Sequence, residues 1–449
     1  MPPPPDSPGR VPAKTLYPLF AVSFIGSLGF SIVLPFLVFL VNDFGGNALI
    51  YGLLGSTYPA FQLAGAPLLG RASDLYGRKR ILLLSQAGTF ISWCIFLAAL
   101  FLPVTVLAAV DSGILGAFTL TLPLLVLFIA RALDGITGGN VSVANAYLAD
   151  ITEEAERNRN YGRMSVASNV GFILGPALAA LLGGTRYGQV PPVLAALIIA
   201  LIGVIVVAVW LPERRPCRIT EKPEKPGIRT VFGQEQKECY RIEGEEEDAG
   251  LSFRGVFTLR HVPYILLLYF LIYLGFNIFY TAFPVYAAGP LAWTSTTLGL
   301  YLAALSGMMA FVQGPVLSRL SDRIAEGYLI VAGSAVLGVN FILLATGNLL
   351  LIYLAAVFIA VGNGLMWPST LSALSKFAGK RYQGAVQGFA SSAGSLASIV
   401  GLIAGGLLYE QLGAVTFLVT AGVIYLVFVL SLRVLGFRRV QEGGAKTGT

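Results

Sequence analysis

Residues 70–80 read GRASDLYGRKR. An uncharged apolar run stands on each side, at roughly 48–70 and 81–102. Two apolar helices that meet over so few residues need a tight turn. Gly77 permits one, because it has no Cβ to restrict its backbone. Arg78, Lys79 and Arg80 can anchor the turn at an anionic lipid leaflet. Asp74 falls at a helix end, where it can pair with a cation or cap a neighbouring helix N-terminus. Such a contact exists only while that side of the molecule is shut, so it can bias a two-state equilibrium. A loop that merely fixed topology would give no role to Asp74, Gly70 or Gly77.

The same alternation of apolar run and polar turn fills the chain. Of its 449 residues 56% are hydrophobic and only 12% charged, with mean hydropathy +0.76, too little charge to cover a soluble surface. Residues 15–42 carry no charge, long enough for a hydrocarbon core of ~30 Å. That run is also too long for a signal peptide and lacks a clear cleavage site, so it reads as a retained helix. Apolar runs fall at roughly 15–41, 48–70, 81–102, 119–149, 160–183 and 190–211, then at 262–288, 294–318, 328–346, 349–375, 384–409 and 412–434. In lipid, backbone groups must be satisfied internally, which such runs do as helices. The short alternating strands of a membrane barrel are absent. The expected fold is an all-α membrane protein of twelve spans. A tail (1–14) leads into a six-helix bundle (15–211). A polar central loop (212–260), a second bundle (261–435) and a tail (436–449) follow.

Charge sets the orientation. Net charge is +7, but no basic, aromatic-laced patch points to nucleic acid. With both termini in the cytoplasm, 28 of the 30 Lys and Arg lie in inner loops and tails, Arg186 lies outside and Arg131 lies within a span. The positive-inside rule selects that orientation, in a plasma or inner membrane. The central loop carries ten basic and ten acidic residues and reads as solvated. Cys94, Cys217 and Cys239 make no metal-ligand or disulfide pattern. No cofactor or metal is expected, and a monomer is. The lone histidine, His261, stands at the start of span seven and reads as interfacial.

The two halves echo each other. Gly70-Arg71-Ala72-Ser73-Asp74 returns as Ser318-Arg319-Leu320-Ser321-Asp322, at an offset of 248. Gly162 and Gly175 in span five return as Gly388 and Gly401 in span eleven, at an offset of 226. The first half is therefore longer between these landmarks, mostly in an outer loop near 103–118. Such repeats imply a path between two halves, opened alternately by rocking.

Three stretches carry candidate mechanism. In span four, RALDGITGGNVSVANAYLAD (131–150) puts Arg131, Asp134, Gly135, Gly138, Ser142 and Asn145 on one helical stripe. Charges inside a span are costly and rarely idle, and at i, i+3 Arg131 and Asp134 can pair. A pair that only fixes packing is the competing reading. Asp150 reads as a structural cap or loop partner. In span five, Gly162, Gly171, Gly175 and Pro176 permit close helix approach and a kink. Span eleven, with small residues at helical spacing but no matching proline, reads as the mirror-image packing helix. Gln62, Asn145, Asn277, Gln313, Asn363 and Trp367 are candidate cavity residues. They are neutral and accompanied by aromatics such as Tyr58, Trp93 and Tyr280, which suits an amphipathic organic substrate.

Residues 70–80 resemble the loop 2–3 signature of the major facilitator superfamily, G-x-x-x-D-x-x-G-R-[KR]-[KR]. Residues from Arg131 to Gly138 resemble its span-four motif, R-x-x-x-G-x-x-x, which that resemblance associates with proton coupling. Span five resembles the antiporter signature G-x8-G-x3-G-P-x-x-G-G, except that Ala179 and Ala180 replace the last glycines. Gly29–Pro35 (GFSIVLP) and the YLADIT run also look like the twelve-span drug:proton antiporters, including tetracycline exporters. The resemblance implies alternating access, with a small-molecule substrate and protons as partners in a lipid bilayer. A proton symporter or facilitator for a sugar or organic acid, and a non-transporting receptor, remain alternatives. An enzyme is not expected: no nucleophile, base and orienting group converge, and no P-loop is present.

Overall fold

Each long apolar run folds as a helix, as the need to satisfy its own backbone requires. The computed structural model describes residues 16–213, except 153 and 186, and residues 253–437. The tails 1–14 and 438–449, nearly all of the central loop, and Arg186 lie outside the described residues. Ten helical stretches among the described residues are long and apolar enough to cross a membrane. One of them, Val386–Phe437, holds two spans, because Gly413 (φ +55) separates residues 386–412 from the helix Thr416–Ser431. The 29-residue helix Ala48–Tyr76, too polar for that set, is span two. The described helices thus fill the expected twelve positions.

Span one is two helices, Leu16–Ile32 and Leu34–Asp43. They break at Val33 because Pro35 withholds a backbone N–H and disfavours helical geometry just before it. Span three is Arg78–Ala99 and span five Glu154–Gly183. Span six is Val190–Trp210, span seven Val262–Ala288 and span eight Ser295–Ser321. Span nine is Glu326–Ala345, and span ten is Leu349–Gly379. Gly379, at φ +68, takes the turn between spans ten and eleven within one helical stretch.

Two features depart from expectation. The outer loop near 103–118 contains a hairpin: β1 (Val106–Ser112) pairs antiparallel with β2 (Gly116–Thr121). Its run VLAAVDS–GAFTLT is rich in strand-forming residues around a Gly-containing turn. Span four is not one helix but two, Leu122–Thr137 and Asn140–Ile151. The stripe expected from Arg131 to Asn145 is therefore interrupted at Gly138–Gly139.

The packing forms two compact units. Among the described residues, one draws on 16–34, 61–102 and 126–213, the other on 35–60, 103–125 and 253–437. The first is built around a buried cluster that includes Leu19, Val22, Leu82, Tyr147, Leu148 and Val207. In the second, span seven packs along spans ten and eleven, and span nine along ten and twelve.

Candidate functional site: the buried charges of spans two to four

The turn after span two is left-handed at Gly77 (φ +106), and a Cβ there would meet the Glu213 carboxylate. It delivers Arg78 into the protein, not to the membrane surface. Arg78 is 2% exposed, so the expectation that it anchors at a leaflet is corrected; Arg80 remains exposed. The Arg78 guanidinium meets Asp74 Oδ1 at 2.5 Å and donates through Nε to Asp150 Oδ2 at 2.7 Å and through Nη1 to Ser73 Oγ at 2.6 Å. A buried cation needs such partners, because its desolvation is otherwise uncompensated. The Lys79 N–H donates to Glu213 Oε1 at 3.2 Å, and Arg80 Nε lies 3.8 Å from Glu213 Oε2. Of the two readings of Asp150, the contacts show the loop partner: it grips the turn from span four. Gly70 has nothing near its Cβ position.

Arg131 Nη1 lies 3.4 Å from Asp134 Oδ2, and Arg131 is 5% exposed. Asp134 also faces the hydroxyls of Thr89 and Ser92 on span three. One turn further the helix breaks, and its freed carbonyls find side chains. Gln62 Nε2 donates to Gly138 O at 2.8 Å, and Ser85 Oγ donates to Thr137 O. Gln62, expected to line a cavity, is therefore engaged at the break. Backbone polar groups left unpaired in a dry span are expensive, which accounts for the choice of glutamine.

In span five, a Cβ on Gly171 would strike Phe24 O and Leu28 N, and one on Gly175 would strike Ser31 and Ile32 N. Ser31 Oγ donates across this contact to Gly171 O at 3.1 Å. Gly162 has open space around it and is not a packing glycine, contrary to expectation. Pro176 lies inside the helix. The other unit repeats the device: Gly401 and Gly405 press on Asn277, Leu274 and Ile278 of span seven, and Thr281 Oγ1 donates to Leu402 O at 3.1 Å.

The description of the Major Facilitator Superfamily matches residues 19–325 and 265–448. The chain belongs to that superfamily. It is a multi-pass integral membrane transporter by family. Across 394 residues it is 28% identical to the class D tetracycline resistance protein of Salmonella ordonez, covering 87% of this chain and 88% of that protein. It is 24% identical over 400 residues to multidrug resistance protein 1 of Bacillus subtilis (strain 168), covering 88% and 90%. A crystal structure of a D-xylose-proton symporter shares the fold at TM-score 0.69 and 15% identity, over 93% of this chain and 97% of the other.

The remaining candidates of this facilitator divide between its units. Asn145 sits on the second helix of span four. In the other unit Asn277 Nδ2 donates to Ser398 Oγ at 3.1 Å and to Tyr273 O at 2.8 Å, a brace between spans seven and eleven. Gln313 lies in a π-turn, Val312–Val316, that contains Pro315. Asn363 is buried one turn before Trp367. The Trp367 ring lies 4.4 Å from that of Tyr273 and 5.0 Å from that of Tyr269. His261 adopts φ +69 and stacks on Phe437 at 3.8 Å. Burial holds its pKa below the ordinary histidine value, and Arg260 and Arg433 add to the effect.

One pair was not anticipated. Glu326 at the start of span nine pairs with Lys376 at the end of span ten, and Ser372 joins them. Arg78 plus the first repeat offset, 248, is position 326; Asp150 plus the second, 226, is position 376. The two halves therefore carry equivalent ion pairs with the signs exchanged.

Proposed function

We propose that this transporter is a proton-coupled antiporter that exports amphipathic small molecules, tetracycline-like compounds among them, by alternating access. The observation that carries this reading is the Arg131–Asp134 pair, buried in span four beside a helix break. Arg131 supplies the charge that compensates the Asp134 carboxylate in a dry span, and parting the two removes that compensation. A movement that alters their separation therefore loads or releases a proton. The likeness to tetracycline and multidrug resistance proteins along most of the chain supports the substrate class. The D-xylose-proton symporter shares only the fold. The 28 cations assigned to inner segments support cytoplasmic termini in a plasma or inner membrane. Arg78 with Asp74 and Asp150 acts as the inner latch, and the two repeated halves rock about the substrate path.

The test uses proteoliposomes with an imposed pH gradient and a panel of tetracycline, organic cations and sugars. Substrate exchange driven by protons moving the opposite way supports the proposal. Sugar uptake together with protons, with no drug movement, overturns it.

A further inference from the structure

A cavity of about 190 Å³ lies within the first unit, between span one, the second helix of span four and span five. Its lining includes Ser23, Asn145, Tyr161, Ser165, Ser168 and Asn169, none of them charged. Ser23 Oγ is the telling atom. The residue is 1% exposed, yet its hydroxyl has no hydrogen-bond partner among the described residues. A hydroxyl in a span usually returns its proton to a carbonyl of its own helix, as Ser31, Ser334 and Thr420 do, or to one of a neighbouring helix, as Thr281 does. Leaving one unanswered costs ~1–3 kcal/mol, and this one belongs to a residue of the cavity wall.

The facing wall comes from span five, where Tyr161, Ser165, Ser168 and Asn169 recur at helical spacing. Tyr161 donates its own proton to Asn145 O at 3.0 Å and so ties span five to span four at the edge of the cavity. The serine hydroxyls and the two asparagine amides can each both donate and accept. Such a lining complements a ligand edge in which carbonyl and hydroxyl oxygens alternate. It offers nothing to a full charge, which would lose its hydration without gaining a counter-ion. The volume is below the ~300–1,000 Å³ of whole-ligand pockets, so the site takes one edge of a larger molecule.

We propose that this pocket is the subsite for a neutral, oxygen-rich edge of the transported molecule, and that it selects drugs carrying such an edge over purely apolar cations. This rests on the export reading above. The test measures equilibrium binding to the purified full-length protein in lipid nanodiscs. The probes are tetracycline, whose edge is a row of oxygens, and tetraphenylphosphonium, an apolar cation with none. Asn169→Leu should weaken tetracycline about tenfold, the loss expected for one or two hydrogen bonds. Ser168→Ala should weaken it less, and both should leave tetraphenylphosphonium within about twofold. Ser168→Asp should invert the preference by supplying a counter-ion. If Asn169→Leu and Ser168→Ala leave tetracycline binding unchanged, or weaken both probes alike, the proposal falls. Wild-type protein that binds the cation but not tetracycline overturns the subsite and spares the export reading. Wild-type protein that binds neither probe overturns both.

Discussion

At the scale of single residues, what matters is which charges are dry. Arg78 has two carboxylates and a serine around it, so Arg78→Ala leaves Asp74 and Asp150 facing each other without a cation. The loss should be of the order of 3–5 kcal/mol, read as a large fall in thermal stability of the purified protein. Arg78→Lys keeps the charge but cannot fork between two carboxylates. It should fold and transport slowly while its equilibrium substrate affinity stays near wild type. The sign-exchanged counterpart is wetter: the Lys376 side chain is 65% exposed. Glu326→Gln should therefore change stability by less than ~1 kcal/mol, and an equal loss at both sites would refute this difference in burial. Asp134→Asn should abolish pH-gradient-driven accumulation in proteoliposomes but spare downhill exchange. A well-folded Asp134→Asn that still concentrates substrate would move the proton site elsewhere, with Asp74 next in line. His261 gives a pH dependence outside the membrane. Its folded pKa is lowered, so the native state favours the neutral ring. That contribution is present above the unfolded value of about 6.5 and is lost as pH falls from there through the folded value. Acidifying from pH 7.5 to 5.5 should lower the melting temperature more for wild type than for His261→Asn, a residue that tolerates the same left-handed backbone.

At the scale of helices, closeness is bought with missing side chains. Gly175→Val would drive methyl groups into Ser31 and the Ile32 backbone, and should prevent folding or strongly destabilise the protein. Gly162→Ala, with open space around it, should cost little. Thermal melts of the two variants side by side check the contrast. The spacing of Gly162, Gly171, Gly175 and Pro176 was readable as a packing helix, because helical periodicity is a local property. That Gly162 is idle was not, since a motif records spacing and not neighbours. The twelve apolar runs were legible for the same reason: each must satisfy its own backbone. Asp150's partner stands 72 residues away, and no local pattern links the two. Gln62 looked like a cavity residue because a polar side chain in a span has two uses, facing a ligand or repairing a helix break. The break itself was signalled by Gly138–Gly139, yet glycine pairs also occur in unbroken spans. Ser23, Ser165 and Ser168 passed unremarked because serine in membrane helices is commonplace and usually bonds its own backbone.

At the scale of the whole molecule, alternating access demands contacts that form and break in turn. Under the proposed mechanism the hairpin contact is one of these. Gln411, at the end of span eleven, donates through Nε2 to Gly113 O at 3.0 Å and to Ile114 O at 2.5 Å. Asn47 Nδ2 donates to Leu115 O at 2.9 Å, and Glu410 Oε2 accepts from the Ala48 N–H at 3.3 Å. Beneath these bonds Gly52 lies against the Leu402 backbone and Gly406 against that of Ala48, so the start of span two and span eleven meet backbone to backbone. Packing this close makes the contact sensitive to small movements: a slight separation forfeits many van der Waals contacts at once. If substrate leaves at this end, span two and the hairpin must part from span eleven in every cycle. The hydrogen bonds are few and lie at the surface, each worth ~1 kcal/mol, which suits a latch that must reopen. A disulfide would make the latch permanent. In a variant with its native cysteines replaced, Ile114→Cys together with Gln411→Cys should cross-link on oxidation. Transport in proteoliposomes should then stop and return on reduction, while either single cysteine should transport normally under both conditions. Substrate binding from the opposite end should survive the cross-link, since only opening at the hairpin is blocked. Full transport by the oxidised, cross-linked protein would show that this contact does not open, and the exit path would have to lie away from the hairpin.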